Sequence, residues 1–184
     1  GGTALAPEAE ALRELSARLD AAERDVTSAV ELLWHTGSVM ARFEGTGVLT
    51  REDAVAIGLV GPAARACGVA RDVRLTFPYA GYDEAPIPTG TDETGDVLAR
   101  ARVRIREVVQ SLDYVGKHLL ALPDSPLFAE PDVSPEPDAM VVSMTEGWRG
   151  ETVHIAMTDG AGALSRYKIV DPSFHNWFGL AMAM

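Results

Sequence analysis

Residues 45–82 read GTGVLTREDAVAIGLVGPAARACGVARDVRLTFPYAGY, and their punctuation sets the architecture. The glycines at 45 and 47 place a loop from Phe43 to Thr50, because glycine tolerates backbone conformations that other residues avoid. Thr50 predicts the cap of a short helix, Arg51 to Leu59, and Asp53 at its third position completes an approximate capping box. Gly61-Pro62 breaks that helix, and a second short one, Ala63 to Cys67, stops at Gly68. From Asp72 to Pro88 the prolines and tyrosines predict irregular chain.

On either side lie two longer apolar stripes. Leu12, Leu15, Leu19, Ala22, Val26, Ala29 and Leu33 recur at steps of three and four, so the spacing predicts a helix from Pro7 to about Thr36. Pro7 suits its first turn and Gly37 its exit. Leu98, Ala101, Ile105, Val108, Leu112, Val115, Leu119 and Leu122 predict a second helix from Asp92 to about Leu122, ended by Pro123. Five prolines between Pro123 and Pro137 predict a surface linker. Beyond it the period changes to two. Met140 to Met144 reads as a strand, as does the alternation of Val153, Ile155 and Met157 with Thr152, His154 and Ala156. Asp159-Gly160-Ala161-Gly162 is a turn, and Tyr167 to Ile169 a return strand. The expected class is α+β: a long antiparallel helix pair with short helices and a small antiparallel β-sheet. The helical region is 1–122, the linker loop 123–138 and the β region 139–184, all within one structural domain.

Composition narrows the function. A net charge of −11 argues against nucleic acid, whose phosphates require a surplus of cations, and against unaided docking on an anionic membrane. No apolar run approaches the roughly 20 residues that span a bilayer, and the start is small and acidic, unlike a secretory signal. The single cysteine, Cys67, allows neither an internal disulfide nor a CxxC pair, which fits a cytoplasmic location. His35, His118, His154 and His175 show no HxxxH spacing, so no metal site is assigned. The chain stops on the apolar run LAMAM. The expectation is therefore a piece of a longer protein whose uncovered apolar surface promotes non-native self-association.

Three constellations stand out. The first is GDVLARARVRIREVVQSL, residues 95–112, with Arg104 and Glu107. Its arginines either make surface pairs with Glu107 and Asp113 below a cap at Thr91 or Asp92, or Arg104 and Glu107 meet a neighbouring subunit or orient a redox site. The second is Glu146-Gly147-Trp148-Arg149-Gly150-Glu151, followed by His154. Glycines beside an arginine allow backbone to approach a partner closely, and Arg149 has the fork to grip a carboxylate; a purely structural turn explains the residues equally well. The third is YKIVDPSFHNW, residues 167–177, whose Phe174 and Trp177, with Phe178, suit core packing against parts of a longer protein missing from this chain. Cys67 among small residues reads as a buried thiol. Tyr79, Tyr82 and Tyr114 either line a redox or quinone cleft or bridge surface and core.

Together GTGVLT, GLVGPAARACGV, Asp72-Val73-Arg74, PYAGY, the 95–112 helix and EGWRGE resemble the superfamily of nickel–iron hydrogenase large subunits and the 49-kDa subunit of respiratory complex I, the NADH-quinone oxidoreductase. DPSFHNW is most similar to the formate hydrogenlyase subunit 5 type. The resemblance covers about Trp34 to Phe178, and it departs from the family at Ala99, where an acid is usual. It implies a piece truncated from a larger hydrogenase-large-subunit fold. Such a subunit packs on an iron–sulfur small subunit, lies over membrane-arm subunits on the cytoplasmic side of the inner membrane, and passes electrons to protons or quinone. By the same resemblance, Arg104, Glu107, Glu146, Arg149, Glu151 and His154 are contacts to a redox site or a subunit. Hydrogenases of this kind hold nickel and iron with two CxxC pairs. Neither pair is present here, so no cofactor is expected in this chain, and a nickel–iron centre belongs to the parent only if such pairs flank it. The alternatives are a metal-free, complex-I-like, quinone-linked subunit and a non-catalytic scaffold that keeps the fold.

Overall fold

The protein is described by a computed structural model covering residues 8–122 and 134–184. Pro7, Pro123 and most of the proline-rich linker lie outside the described residues. The chain runs α1 (Ala9–Trp34), α2 (Gly37–Phe43), α3 (Arg51–Ala56), α4 (Gly61–Arg65), α5 (Val73–Thr76), α6 (Val97–Leu119), β1 (Met140–Gly147), β2 (Gly150–Thr158), β3 (Leu164–Val170) and α7 (Pro172–Met182). This is the expected α+β class. α1 and α6 are antiparallel neighbours: Trp34 shares a cleft with Arg102 and Arg106, while Ser16 and Leu19 share one with Leu112 and Leu120.

Several element boundaries differ from the sequence expectation. Gly37 does not release the chain from α1; it opens α2, which the periodicity of the longer helix hides. The Trp34 and Phe43 rings meet edge to face at 6.5 Å across that corner. α3 ends at Ala56, before Leu59, because Gly58 has a positive φ of 69° and Leu59 N–H returns to Ala54 O. α4 starts two residues early, at Gly61, since Pro62 needs no helical N–H partner in a first turn. One helical turn, α5, interrupts the stretch expected to be irregular. β1 runs three residues further than expected, to Gly147, and α7 has no counterpart in the sequence expectation. Asp171 caps α7 by accepting from Ser173 N–H, and Pro172 fills its first position.

α6 begins at Val97 and not at Asp92. Gly95 turns the chain with φ 64°, and Asp96 is the cap, accepting 2.8 Å from Ala99 N–H and 2.9 Å from Gly45 N–H. Burial opposes the charge on Asp96, yet those N–H donors hold its carboxyl below the usual range. The buried face of α6 is Leu98, Ala99, Val103 and Glu107. The longer stripe seen in the sequence is only partly covered, and Val115 is 44% exposed, because α1 shields one side of the helix. The other side packs on α4.

Small side chains dominate the core. Leu49, Ala54, Leu59, Ala64 and Cys67 form one cluster, and Ala66, Ala99 and Val103 another. They let backbones approach closely. Cys67 is buried as expected, its thiol 3.4 Å from Ala63 O, and burial pushes its pKa up.

The sheet has the order β1-β2-β3, antiparallel throughout, with Gly147 opposite Gly150 at the hairpin tip. Thr50 caps α3 and Asp159 closes the β2–β3 turn, as the sequence predicts. β2 does not alternate cleanly between buried and exposed. As the central strand it is half covered on both faces. The sheet docks by its tip: a Cβ on Gly61 would lie 2.4 Å from Gly150 Cα, and one on Gly150 would lie 2.8 Å from Val60 Cγ2. α7 packs beside β2, with Gly179 pressed on Leu59, while Phe174 and Trp177 are 75% and 69% exposed.

Gly61→Ala should therefore destabilise the protein by roughly 2–4 kcal/mol, combining a left-handed backbone with overpacking. Urea unfolding measures it, and a loss below about 1 kcal/mol would show that the hairpin tip does not depend on this contact.

Candidate functional site: a buried arginine and an arginine-lined cleft

Arg65 ends α4 and is fully buried, at 0% exposure. Its neighbours Ala64 and Ala66 are equally buried, and Gly68, with φ 77°, turns the chain immediately after the helix. Three carboxylates from separate parts of the chain converge on it. Glu107 of α6 accepts from Nε at 2.8 Å. Glu146 of β1 accepts from Nη1 at 2.9 Å. Asp72, the cap of α5, lies 3.3 Å away. Arg71 O takes a further Nη1 bond at 2.9 Å.

A second layer surrounds this hub. Arg74 grips Asp72 with two side-chain bonds of 2.6 and 2.9 Å. Burial alone would lower the pKa of Arg74, but the charge and hydrogen bonds of Asp72 hold it above its ordinary range. Arg71 makes a two-pronged contact with Glu151 at 2.7 and 3.1 Å. The Tyr79 hydroxyl oxygen accepts from Glu146 N–H at 2.8 Å. Glu146 has a side chain only 4% exposed. Burial pushes its carboxyl above the ordinary range; Arg65 works against that shift and Asp72 reinforces it.

The hub fixes the β1–β2 tip, because Glu146 and Glu151 stand on either side of the Gly147–Gly150 turn. The turn carries Arg149 to the rim of a cleft of about 340 Å³ between α6 and α7, which Arg100 and Arg104 also line. Asn176 of α7 locks the turn: its Nδ2 donates to Arg149 O at 3.0 Å, and its Oδ1 accepts from Val60 N–H at 3.1 Å. The Arg104 guanidinium lies 5.9 Å above the Trp148 ring. Arg100 donates to Gly47 O and Gly95 O.

The structure thus gathers Glu107, Glu146 and Glu151 into one buried network and sets Arg104 and Arg149 on the adjoining cleft. His154 stands apart on β2, with its ring against the Tyr167 hydroxyl. The expected surface pairs on α6 do not form: Glu107 serves Arg65, Lys117 takes Asp113 at 2.6 Å, and Arg106 pairs with Asp92 at 3.0 Å. Tyr79, Tyr82 and Tyr114 are neighbours, with ring centroids 5.2 and 5.4 Å apart. Sequence reasoning missed Arg65 and Arg71 as site residues. The available signal was a charged residue inside the small apolar run GPAARACG, which burial explains only if carboxylates meet it.

Residues 1–137 match the family described as the respiratory-chain NADH dehydrogenase 49-kDa subunit. The chain belongs to this 49-kDa-subunit family. It is 38% identical over 168 residues to the carbon monoxide-induced hydrogenase of Rhodospirillum rubrum, covering 91% of this chain and 46% of that protein. It is 33% identical over 154 residues to formate hydrogenlyase subunit 5 of Escherichia coli, covering 84% and 27%. It superposes on a chain of the archaeal membrane-bound sulfane sulfur reductase, a respiratory membrane complex, with a TM-score of 0.81 and 28% identity over 92% of this chain and 48% of that one. The chain thus spans less than half the length of these relatives. As a 49-kDa-family member it contains no helix, among the described residues, long and apolar enough to cross a membrane.

Two variants probe the hub. Arg65→Met leaves three buried carboxylates without their shared cation and should cost about 3–5 kcal/mol in urea unfolding; a loss under 1 kcal/mol would contradict the hub. Glu146→Gln tests the sign of the carboxyl shift. A carboxyl whose folded pKa is raised contributes stability below its unfolded value, lost as pH rises through the folded one. The stability difference should therefore move in favour of Glu146→Gln as pH climbs above the ordinary carboxylate range, and a shift in the opposite direction would refute it.

Proposed function

We propose that this chain is part of the large subunit of a membrane-associated hydrogenase or formate hydrogenlyase-type complex, whose parent passes electrons to protons or quinone. The observation that carries this reading is the likeness to the carbon monoxide-induced hydrogenase and to formate hydrogenlyase subunit 5, joined to a hub that sets Arg149 at the rim of an arginine-lined cleft. In the parent, such a cleft supplies a fixed positive field beside the reacting group, with little reorganisation when charge develops there.

The partners proposed are an iron–sulfur small subunit and membrane-arm subunits. Through them the protein lies at the cytoplasmic face of the inner membrane. The exposed aromatic face of α7 and the bare outer part of the sheet are the surfaces available for such contacts.

The described residues do not fit a nickel–iron centre. Cys67 is buried against Ala63 O, and the described residues contain no cluster of three or more His, Cys, Asp or Glu able to hold a metal. Thiolate ligands suited to nickel and iron would have to come from other parts of the parent. The match to the NADH dehydrogenase 49-kDa subunit family supports a second reading, a metal-free quinone-linked subunit.

The test is to express the full parent reading frame with its neighbouring genes and assay nickel content, hydrogen–viologen activity and quinone reduction. Stoichiometric nickel with hydrogen activity is the expected result. Quinone reduction without nickel would favour the second reading. A parent inert in both assays, purifying without an iron–sulfur subunit, would leave a scaffold and overturn the proposal. The 184-residue chain alone should bind no stoichiometric nickel.

A further inference from the structure

We infer that the cleft between α6 and α7 binds a carboxylate, gripped by Arg104 with Arg149 at the rim. Arg100, Arg104 and Arg149 line one cleft, and among the described residues no aspartate or glutamate lines it. This is a local departure in a chain of net charge −11. Among the described residues, no ion pair includes Arg100 or Arg104. The nearest carboxylates on the same helix are already engaged: Asp96 by backbone N–H groups and Glu107 by Arg65. Among the described residues the Arg149 guanidinium pairs only with Asp171, at 3.8 Å, with both side chains more than half exposed.

The two helix arginines differ in what they leave open. Arg100 is held by two carbonyls. Both bonds come from Nη1; they fix the side chain in place but bring no carboxylate into direct contact. Arg104 makes one long bond, 3.4 Å, to Arg100 O and lies with its guanidinium over Trp148. Both are half-buried, and burial lowers the pKa of each against the opposing charge of Asp96 on Arg100 and of Glu107 on Arg104, neither of which makes a direct ion pair with them. A desolvated cation without a direct ion pair is costly, and buried charges are ordinarily paired.

The class of ligand follows from the shape of the group. A guanidinium resting on an aromatic ring keeps its in-plane N–H edge for a planar, two-oxygen acceptor. Leu59 and Leu180 provide apolar walls for whatever carries the carboxylate. That carrier is either a small free carboxylate or an acidic side chain of a neighbouring polypeptide. The inference does not depend on the redox reading, so either can fail alone.

The 184-residue chain is titrated with sodium acetate, and separately with the blocked peptide Gly-Glu-Gly and its Gly-Gln-Gly counterpart, all at constant ionic strength set with sodium chloride. Tryptophan fluorescence reports binding, because Trp177 lines the cleft and Trp148 lies beside Arg104. Saturable binding of acetate would identify a small carboxylate as sufficient; saturable binding of only the glutamate peptide would identify a polypeptide source. Arg104→Gln should weaken either at least tenfold. Arg104→Lys, which keeps the charge and loses the fork, should weaken it less. Arg102→Gln, on the same helix but lining a different cleft with Trp34, should leave it unchanged. No saturable response to either probe, equal binding of the glutamine peptide, or undiminished binding in both Arg104 variants would overturn the inference.

Discussion

The burial of Arg65 is the constraint on which the rest of the structure depends. A guanidinium taken wholly out of water must find its counter-charges in the protein, because its solvation cannot be replaced by apolar packing. Its carboxylates come from α6, from β1 and from the cap of α5, so satisfying one side chain brings together segments 42 and 81 residues away in sequence. Such a network adds little net stability over an apolar core of the same shape, but leaving it half-made is expensive. Its contribution here is placement: the hairpin can lie in one position, the position in which Glu146 and Glu151 both reach their arginines.

Glycine makes that placement sterically feasible. Gly61 and Gly150 touch backbone to backbone, and Gly95 lies so close to the Leu49 carbonyl that a Cβ would stand 1.9 Å from it. Both contacts bring α4 and α6 near enough to the loops beside them for short side chains to fill the core. Ala64, Ala66 and Ala99, all at 0% exposure, sit where these backbones converge. The charge network and the close packing support each other. The ion pairs need the hairpin tip within reach, and the tip can approach only because no side chain stands between.

The arginine cleft is a consequence of this arrangement. Arg149 gains its position from the acids that flank its turn and from Asn176, while Arg100 and Arg104 follow from the pitch of α6. Positive charge is thereby concentrated on one face of an acidic chain, next to a network in which the neighbouring acids are already engaged. The chain belongs to the 49-kDa-subunit family, resembles a chain of an archaeal respiratory membrane complex, and spans less than half the length of the relatives it matches.

The sequence by itself determined the α+β class, the two long helices, the sheet, the cap at Thr50 and the turn at Asp159, because each rests on local periodicity or on a side chain bonding its own backbone. It also contained the glycine and arginine of EGWRGE and a lone cysteine among small residues. Where two local signals competed, as at Asp92 and Asp96 or at Gly37, the linear pattern did not rank them: the choice of cap depends on Gly45 N–H, 51 residues away. The function of Arg65, the engagement of Glu107 and the separation of His154 from the other site residues were decided only by tertiary structure. Ion pairing in a low-dielectric interior depends on distances across the fold, and spacing along the chain does not encode which charges lose their water together.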